Sequence, residues 1–280
     1  MSRFTAQTKL HDTLFGAIWM CHDADSVVVV KQIHLDLARQ AFTRNFQVDN
    51  PWAERRVLDV LQLIGPHDNV VQVYQQFQQN NAWFVVMEYC DGGDLCQMLE
   101  RLPQHRFPEV EALSLFTQII RGVQWLHLNG IAHRDLSLEN VLLSYNSSNN
   151  ESIGTAKICD FGLSTKGDRT CCERVGKPYY MAPEVVAGTA YDPQAADVWS
   201  LGVVLFVMLT GSPLVPIAAE KEPGFIGLKE FGVGWILGAW HMNDLVSPAT
   251  ERLLVGMLQI DPATRFTVEE VAVHPAIHLL

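Results

Sequence analysis

Residues 131–143 read IAHRDLSLENVLL, a cluster of polar side chains enclosed by apolar residues. Within it, Asp135 and Asn140 flank a short loop, and Ser137 lies between them. Polar groups in apolar surroundings need hydrogen-bond partners, so the cluster is either a surface turn or the floor of a polar cleft. The remaining sequence decides between these two interpretations.

A second polar stretch, CDFG at residues 159–162, completes the strand-like TAKIC. Its Asp160 and the Asn140 of the first cluster would each lie at the end of a loop. Carboxylate and amide oxygens in such positions suit Mg²⁺, which binds few protein groups and completes its coordination with water and phosphates. DFG alone is a weak signal, but its combination with HRDxxxxN is strong and favours a catalytic cleft.

Composition limits the classes of function. The 280 residues are 48% hydrophobic and 18% charged, which is typical of a globular protein with one large domain or two lobes. A formal net charge of −11 argues against nucleic acid as the main partner, because phosphate binding needs a basic surface. The charge favours basic peptides or other cationic ligands, although solubility alone explains it equally well.

The N-terminal MSRFTAQTKLHD lacks the apolar core of a signal peptide. The apolar run at residues 198–209 is too short to span a bilayer and predicts a buried helix. Six cysteines without a CxxC pair are typical of reduced thiols. We therefore expect a cytoplasmic monomer that binds neither membranes nor nucleic acid.

Hydrophobic periodicity predicts an α+β architecture. The first ninety residues favour a strand hairpin, one helix and two further strands, at residues 14–20, 26–33, 51–64, 69–77 and 82–89. The pattern then becomes mainly helical, beginning with a helix at 110–128. The polar residues 145–152 indicate an exposed hairpin turn. The sequence therefore predicts a small β-rich lobe with one key helix (1–89) and a larger, mainly helical lobe (90–280).

A series of motifs follows one order along nearly the whole chain: VVVVK at 27–31, AERRVL at 53–58, FVVMEYCDGGDL at 84–95, HRDLSLEN at 133–140, DFG at 160–162, MAPE at 181–184, DVWSLGVVLF at 197–206 and DPATRFT at 261–267. This series resembles the protein kinase family, whose motifs include a strand lysine, a catalytic loop, DFG and an APE segment. The resemblance implies a single two-lobed kinase domain over residues 1–280. It also implies phosphoryl transfer from ATP with the help of Mg²⁺.

The resemblance assigns roles to individual residues. Lys31 would carry a positive charge to the α- and β-phosphates of ATP, with Glu54 as its counter-ion. Asp135 would orient the substrate hydroxyl and accept its proton. Asn140 and Asp160 would each bind a metal ion. The implied nucleotide-binding residues are Leu10, Gly16, Ile18, Val29, Lys31, Glu88, Cys90, Asp94, Leu142 and Asp160.

Other matched residues resemble structural or regulatory positions. DFG at 160–162 and MAPE at 181–184 bracket a stretch that resembles the family's activation segment. Arg134 resembles the arginine that pairs with a phosphate on this segment, and Thr170 is the segment's most central hydroxyl. Phosphorylation of Thr170 is therefore a hypothesis. Glu184 and Arg265 resemble a buried ion pair that holds the segment to the larger lobe; the alternative is two unpaired surface charges.

The sequence departs from the family's pattern around the nucleotide. His11 and Thr13 stand where G-x-G-x-x-G has its first two glycines, so the cover over ATP should be loosened or reshaped. Val29 stands where the family usually has alanine over the adenine ring, which predicts a narrower pocket.

A further departure lies in the catalytic loop. Ser137 stands where serine/threonine kinases have a lysine that contacts the γ-phosphate, and loss of that charge should slow transfer. Lys177 stands where these kinases carry threonine, on the neighbouring activation segment. Lys177 is therefore the candidate replacement for the missing cation.

Two functions from different classes follow. Glu139 and the GxPxYMAPE pattern favour a serine/threonine protein kinase, and Asp94, Glu139 and the net charge predict a protein substrate with Arg or Lys near the target residue. The altered glycine loop, Val29 and Ser137 support instead a pseudokinase scaffold with weak or no catalysis. A small-molecule kinase is a third possibility, disfavoured by the MAPE segment.

Overall fold

Five antiparallel strands build the first part of the computed structural model, which describes residues 5–23, 26–43, 50–145 and 153–277. The strands are β1 (Thr5–Thr13), β2 (Gly16–Asp23), β3 (Ser26–His34), β4 (Val73–Gln79) and β5 (Ala82–Glu88). They lie in the order β1-β2-β3-β5-β4. Strand β3 alternates between two packing layers, because Val28 and Val30 join a small cluster with Phe84, whereas Ile33 joins the main core.

Two helices follow β3 in sequence, α1 (Leu35–Thr43) and α2 (Pro51–Ile64). Helix α2 begins at the predicted residue because Asn50 accepts hydrogen bonds from the backbone N–H groups of Trp52 and Ala53, at 3.1 and 3.0 Å, and Pro51 occupies the first turn. Glu54 lies on the buried face of this helix. The cap therefore fixes the position of the predicted counter-ion for Lys31.

The remainder of the described chain is mainly helical. Its helices are α3 (Leu95–Arg101), α4 (Glu109–Leu128), α5 (Pro183–Ala187), α6 (Pro193–Thr210), α7 (Pro223–Ala239), α8 (Pro248–Met257) and α9 (Val268–Ala272). Two short antiparallel pairs join β6 (Ile131–Ala132) to β9 (Thr165–Lys166) and β7 (Val141–Ser144) to β8 (Thr155–Ile158). A β-rich lobe and a helical lobe confirm the predicted α+β, two-lobed fold.

Several predicted elements differ in extent. Strand β1 was not predicted, because its residues are mostly polar and exposed and give no apolar alternation. The predicted strand at 14–20 begins only at Gly16, and the one at 69–77 begins only at Val73. The predicted turn at 145–152 joins β7 to β8, and its residues 146–152 lie outside the described part of the chain.

Helix α6 is the core helix of the larger lobe. It contains the apolar run at 198–209 and is long and apolar enough to cross a membrane, but 89% of it is buried inside the protein. The apolar side chains of α6 are removed from water by packing within the protein. The prediction of a buried helix is confirmed.

A buried ion pair joins the loop between α8 and α9 to the first turn of α5. The Nη1 and Nη2 atoms of Arg265 donate to the carboxylate of Glu184, at 2.7 and 3.0 Å. Arg265 also donates to the carbonyl of Ala195, at 2.8 Å, and its guanidinium lies 5.3 Å from the centre of the Trp199 ring. The predicted pairing of Glu184 with Arg265 is confirmed, and the alternative of two unpaired charges is wrong.

Replacement of Arg265 by alanine should strongly destabilise the protein, because it leaves the Glu184 carboxylate buried and unpaired. The expected loss is about 3–5 kcal/mol in the free energy of unfolding, measured by urea denaturation. Lys229→Ala is the control, since Lys229 pairs with Glu220 at 2.9 Å on the surface. This control should change the free energy of unfolding by about 1 kcal/mol or less. Equal effects of the two substitutions would contradict a structural role for the buried pair.

Candidate active site

The loop between β6 and β7 presents Asp135. Residues 138–140 of this loop form a 3₁₀ turn, which places Asn140 beside the aspartate. The Asn140 amide donates to the backbone carbonyl and to Oδ2 of Asp135, at 2.7 and 2.8 Å. The side chain of Asn140 therefore fixes the Asp135 carboxylate through its amide nitrogen.

Asp197, near the start of α6, holds this loop through hydrogen bonds to its backbone. Its fully buried carboxylate accepts hydrogen bonds from the backbone N–H groups of His133 and Arg134, at 2.8 and 2.7 Å, and from His127 Nε2 at 2.8 Å. These donors stabilise a left-handed backbone at Arg134, whose φ is +64°. Asp197 was not predicted as a site residue, although a lone acid in an otherwise apolar helix is a usable signal.

Lys31 on β3 lies between two carboxylates. Its Nζ is 2.6 Å from Glu54 Oε1 on α2 and 3.2 Å from Asp160 Oδ1. Burial opposes the charge of Lys31, but the Asp160 and Glu54 carboxylates outweigh it and raise the Lys31 pKa. The Lys31 charge in turn lowers the pKa of Asp160 to about 2. Lys31 and Asp160 are therefore both ionised near neutral pH.

The DFG sequence is locked to the catalytic loop. The ring of His133 lies 5.4 Å from that of Phe161, and its Nε2 donates to the Cys159 carbonyl at 3.0 Å. Asp160 has a φ of +62°, a conformation that non-glycine residues rarely adopt. Its side chain remains 47% exposed, so the carboxylate that binds Lys31 is also accessible to a ligand.

A cleft of about 520 Å³ opens between the two lobes. Most of the predicted nucleotide-binding and catalytic residues line it, namely Leu10, Ile18, Val29, Lys31, Glu54, Glu88, Cys90, Asp94, Asn140, Leu142 and Asp160. Gly16 does not line this cleft; a side chain there would collide with the Gln32 carbonyl, which explains the glycine. Sequence reasoning missed Val71, Gln97 and Arg101, which line the cleft without belonging to any quoted motif, and Met87, which lies within FVVMEYCDGGDL.

The cover of the cleft is the hairpin of β1 and β2, whose pairing has a register shift between Lys9 and His11. Thr13 pairs with Gly16, so Leu14 and Phe15 form a two-residue turn and His11 lies within β1, along the cleft wall. Among residues 10–16 none has a positive φ. With His11 and Thr13 in place of glycines, the backbone adopts no left-handed conformation here, so the cover is reshaped rather than missing.

Two residues that line the cleft, Glu88 and Cys159, have structural explanations. Glu88 pairs with the buried Lys157, at 3.0 Å, which ties the end of β5 to β8. Burial raises the pKa of the Cys159 thiol well above its ordinary value. Cys159 is therefore a protonated thiol at neutral pH.

The activation segment reaches Arg134 through Glu173. Arg134 Nη1 is 2.9 Å from Glu173 Oε2, and its Nε donates to the Leu163 carbonyl at 2.7 Å. The Glu173 carbonyl accepts a hydrogen bond from the Tyr191 hydroxyl at 2.9 Å. An acidic side chain thus holds the place where a phosphate was expected; Thr170 is exposed, and its phosphorylation stays a prediction.

The segment also brings Lys177 to the catalytic loop. Its Nζ donates to Ser137 Oγ at 2.6 Å and lies 3.5 Å from Glu139 Oε2. Its backbone N–H donates to Asp135 Oδ1 at 3.2 Å. The structure therefore brings the expected replacement cation and Ser137 into direct contact.

Comparison with known proteins agrees with this geometry. A family model described as "Protein kinase domain" matches residues 6–277. The chain is 34% identical over 238 residues to the "Probable serine/threonine-protein kinase HSL1" of Saccharomyces cerevisiae, covering 83% of this chain and 14% of that protein. It is 31% identical over 269 residues to the "Serine/threonine-protein kinase chk1" of Schizosaccharomyces pombe, covering 93% of this chain and 50% of that protein. The chain thus spans half or less of the length of these relatives, and it belongs to the protein kinase family.

Proposed function

We propose that this chain is a catalytically competent serine/threonine protein kinase, which transfers the γ-phosphoryl group of ATP to a hydroxyl of a protein substrate. The observation that supports competence is the unbroken ionic contact from Glu54 through Lys31 to Asp160, beside an Asp135 that Asn140 orients. Phosphoryl transfer depends mainly on such positioning and charge neutralisation. The serine/threonine kinases among the relatives support the choice of hydroxyl.

Each residue has a defined task in this reaction. Lys31 would bind the phosphates of ATP through its fixed positive charge. Asp135 would accept the proton of the substrate hydroxyl while the hydroxyl oxygen bonds to the γ-phosphorus and the bond to ADP breaks. The loop contacts made by Asp197 hold Asp135 in place for this step.

The residues present fit Mg²⁺. In the described part of the chain no three His, Cys, Asp or Glu side chains form a metal cage. A site of one or two protein oxygens completed by phosphates is the arrangement that Mg²⁺ prefers. The ionised, half-exposed Asp160 carboxylate and the Asn140 amide oxygen would hold it, and bound Mg²⁺ would neutralise phosphate charge.

A pseudokinase scaffold is the alternative function. The hairpin over the cleft has His11 and Thr13 in place of two glycines and favours the scaffold, because strand side chains keep backbone N–H groups farther from phosphates than glycines would. Val29 in the cleft wall points the same way. The assembled ionic contacts of Lys31 favour the enzyme, since a scaffold has no need of a buried lysine between two acids.

A basic sequence near the target residue is proposed for the substrate. Asp94 at the cleft edge and Glu139 beside the catalytic loop are partly exposed acids, and the net charge is −11. A cytoplasmic monomer is proposed as well. The six free cysteines support a reducing compartment.

Labelled γ-phosphate should be transferred from ATP to a protein substrate by the wild-type chain with Mg²⁺. Asp135→Ala should lower kcat by roughly 10²–10⁴-fold, because the group that takes the proton is removed. Transfer by neither protein, with ATP binding retained, would favour the scaffold. Equal transfer by both would contradict the role of Asp135.

A peptide with arginine upstream of its serine should be preferred over the alanine version. Asp94→Asn should raise the KM of the basic peptide and leave that of the neutral peptide unchanged. Asparagine retains the cap that Asp94 provides to the Gln97 backbone N–H, at 2.8 Å, so charge alone is lost. Glu139→Gln should have a smaller effect, because Lys177 already lies 3.5 Å from Glu139. Equal KM values for both peptides would remove the proposed preference.

Glu173→Ala should lower kcat roughly fivefold, since it deletes a partly exposed ion pair of about 1 kcal/mol that holds the activation segment. Hydrogen exchange of the segment should increase in this variant. Glu230→Ala, an exposed acid on α7, is the control and should change neither property. Activity that depends on phosphate at Thr170 but not on Glu173 would contradict this assignment of the Arg134 partner.

A further inference from the structure

The contact between Lys177 and Ser137 joins the activation segment to the loop that carries Asp135. Ser137 lies two residues after Asp135 and is fully buried. Its hydroxyl accepts a hydrogen bond from the Lys177 ammonium at 2.6 Å. Serine carries no charge, so the positive charge at this position comes from Lys177. The side chain of Lys177 remains 35% exposed, so its ammonium is held by the loop and still open to a ligand.

Gly176 allows this approach. It has a φ of +100°, and a Cβ at this position would lie 2.8 Å from the Arg134 carbonyl, closer than a side chain permits. The next residue then donates its backbone N–H to Asp135 Oδ1. Backbone and ammonium of Lys177 are thus both fixed against the catalytic loop, one on Asp135 and one on Ser137.

The position of the Lys177 charge is electrostatically significant. Burial raises the pKa of Asp135, and the Lys177 charge is the strongest influence that opposes this rise. A cation close enough to stabilise the Asp135 carboxylate would also stabilise the negative charge of a phosphoryl group transferred beside Asp135. Coulomb attraction is stronger in a partly desolvated cleft than in water.

We propose that Lys177 is a catalytic residue that contacts the transferred γ-phosphoryl group, and that the buried Ser137 hydroxyl is the positioning residue that holds its ammonium. The inference rests on the proposed kinase function and deepens it. The cation of the transfer step comes from the activation segment, so catalysis requires that segment to lie against the loop. Glu139 shares the ammonium at 3.5 Å and is partly neutralised by it.

An exchange of the two side chains tests this proposal. The variants are Lys177→Met, the double variant Ser137→Lys with Lys177→Thr, and Lys177→Arg, with Lys166→Met on β9 as an exposed control on the same segment. Two properties are measured for each: kcat with a peptide substrate, and binding of Mg·ADP alone or with aluminium fluoride, a mimic of the transferred phosphoryl group. Thermal unfolding verifies that each variant is folded.

Lys177→Met should lower kcat by roughly 10²–10³-fold and weaken the aluminium fluoride complex, with the Kd of ADP within about twofold of wild type. The exchange variant should regain at least about tenfold in kcat over Lys177→Met, because it returns a cation to the loop. Lys177→Arg should keep more activity than Lys177→Met, and Lys166→Met should resemble wild type.

Unchanged kcat and an unchanged aluminium fluoride complex in Lys177→Met would overturn the proposal. A folded exchange variant no better than Lys177→Met would overturn the pairing of the two positions. If Lys177→Met fails to fold, the kcat of the exchange variant is compared with that of Lys177→Arg. An exchange variant with far lower kcat than Lys177→Arg would then overturn the pairing of the two positions. Failure of the kinase function itself is distinct, since the wild type would then transfer no phosphate and Asp135→Ala would not differ from it.

Discussion

The site depends on the hydrogen bonds that the buried Asp197 carboxylate accepts from the loop before Asp135. Removing a carboxylate from water costs several kcal/mol unless fixed donors replace the lost hydration. Here the donors are the His127 ring and the backbone N–H groups of His133 and Arg134. Once these are bound, the His133 ring can reach the Cys159 carbonyl and the Arg134 guanidinium can reach the Leu163 carbonyl. The catalytic loop, the DFG sequence and the activation segment thus take their positions from one buried charge.

A second constraint, the charge of Lys31, joins the two lobes. A buried ammonium without partners would lose its proton, so its charge requires Glu54 from α2 and Asp160 from the other lobe to lie close together. The dependence is mutual, because Glu54 lies on a buried helix face and also needs a cation. Any movement that separates α2 from the DFG sequence would break the contacts of Lys31 with Glu54 or Asp160. Electrostatics therefore favour the arrangement in which Lys31 contacts both carboxylates.

Local signals predicted those parts of the structure that local chemistry determines. Helix α2 begins at Pro51 as predicted, because Asn50 and Pro51 act within one turn. Motif order predicted Lys31, Asp135, Asn140 and Asp160, and the structure brings them to one cleft or its margin. Strand β1 was missed because an exposed, mostly polar strand has no apolar period to detect. The contacts of Asp197 and Glu173 were missed because each joins residues far apart in sequence, and only the folded chain defines them.

The activation segment is ordered by contacts that need no phosphate. Fixing a segment costs about 1–2 kcal/mol of backbone entropy per residue, so several separate contacts must offset that cost. Glu173 binds Arg134, Cys171 and Tyr191 exchange two backbone hydrogen bonds, and the Lys177 backbone binds Asp135. These contacts lie at the start, middle and end of the stretch from 171 to 191 and beside the catalytic loop. Each contact uses a group supplied by the fold itself, so in this structure the segment that places Lys177 on the loop is held by tertiary contacts alone.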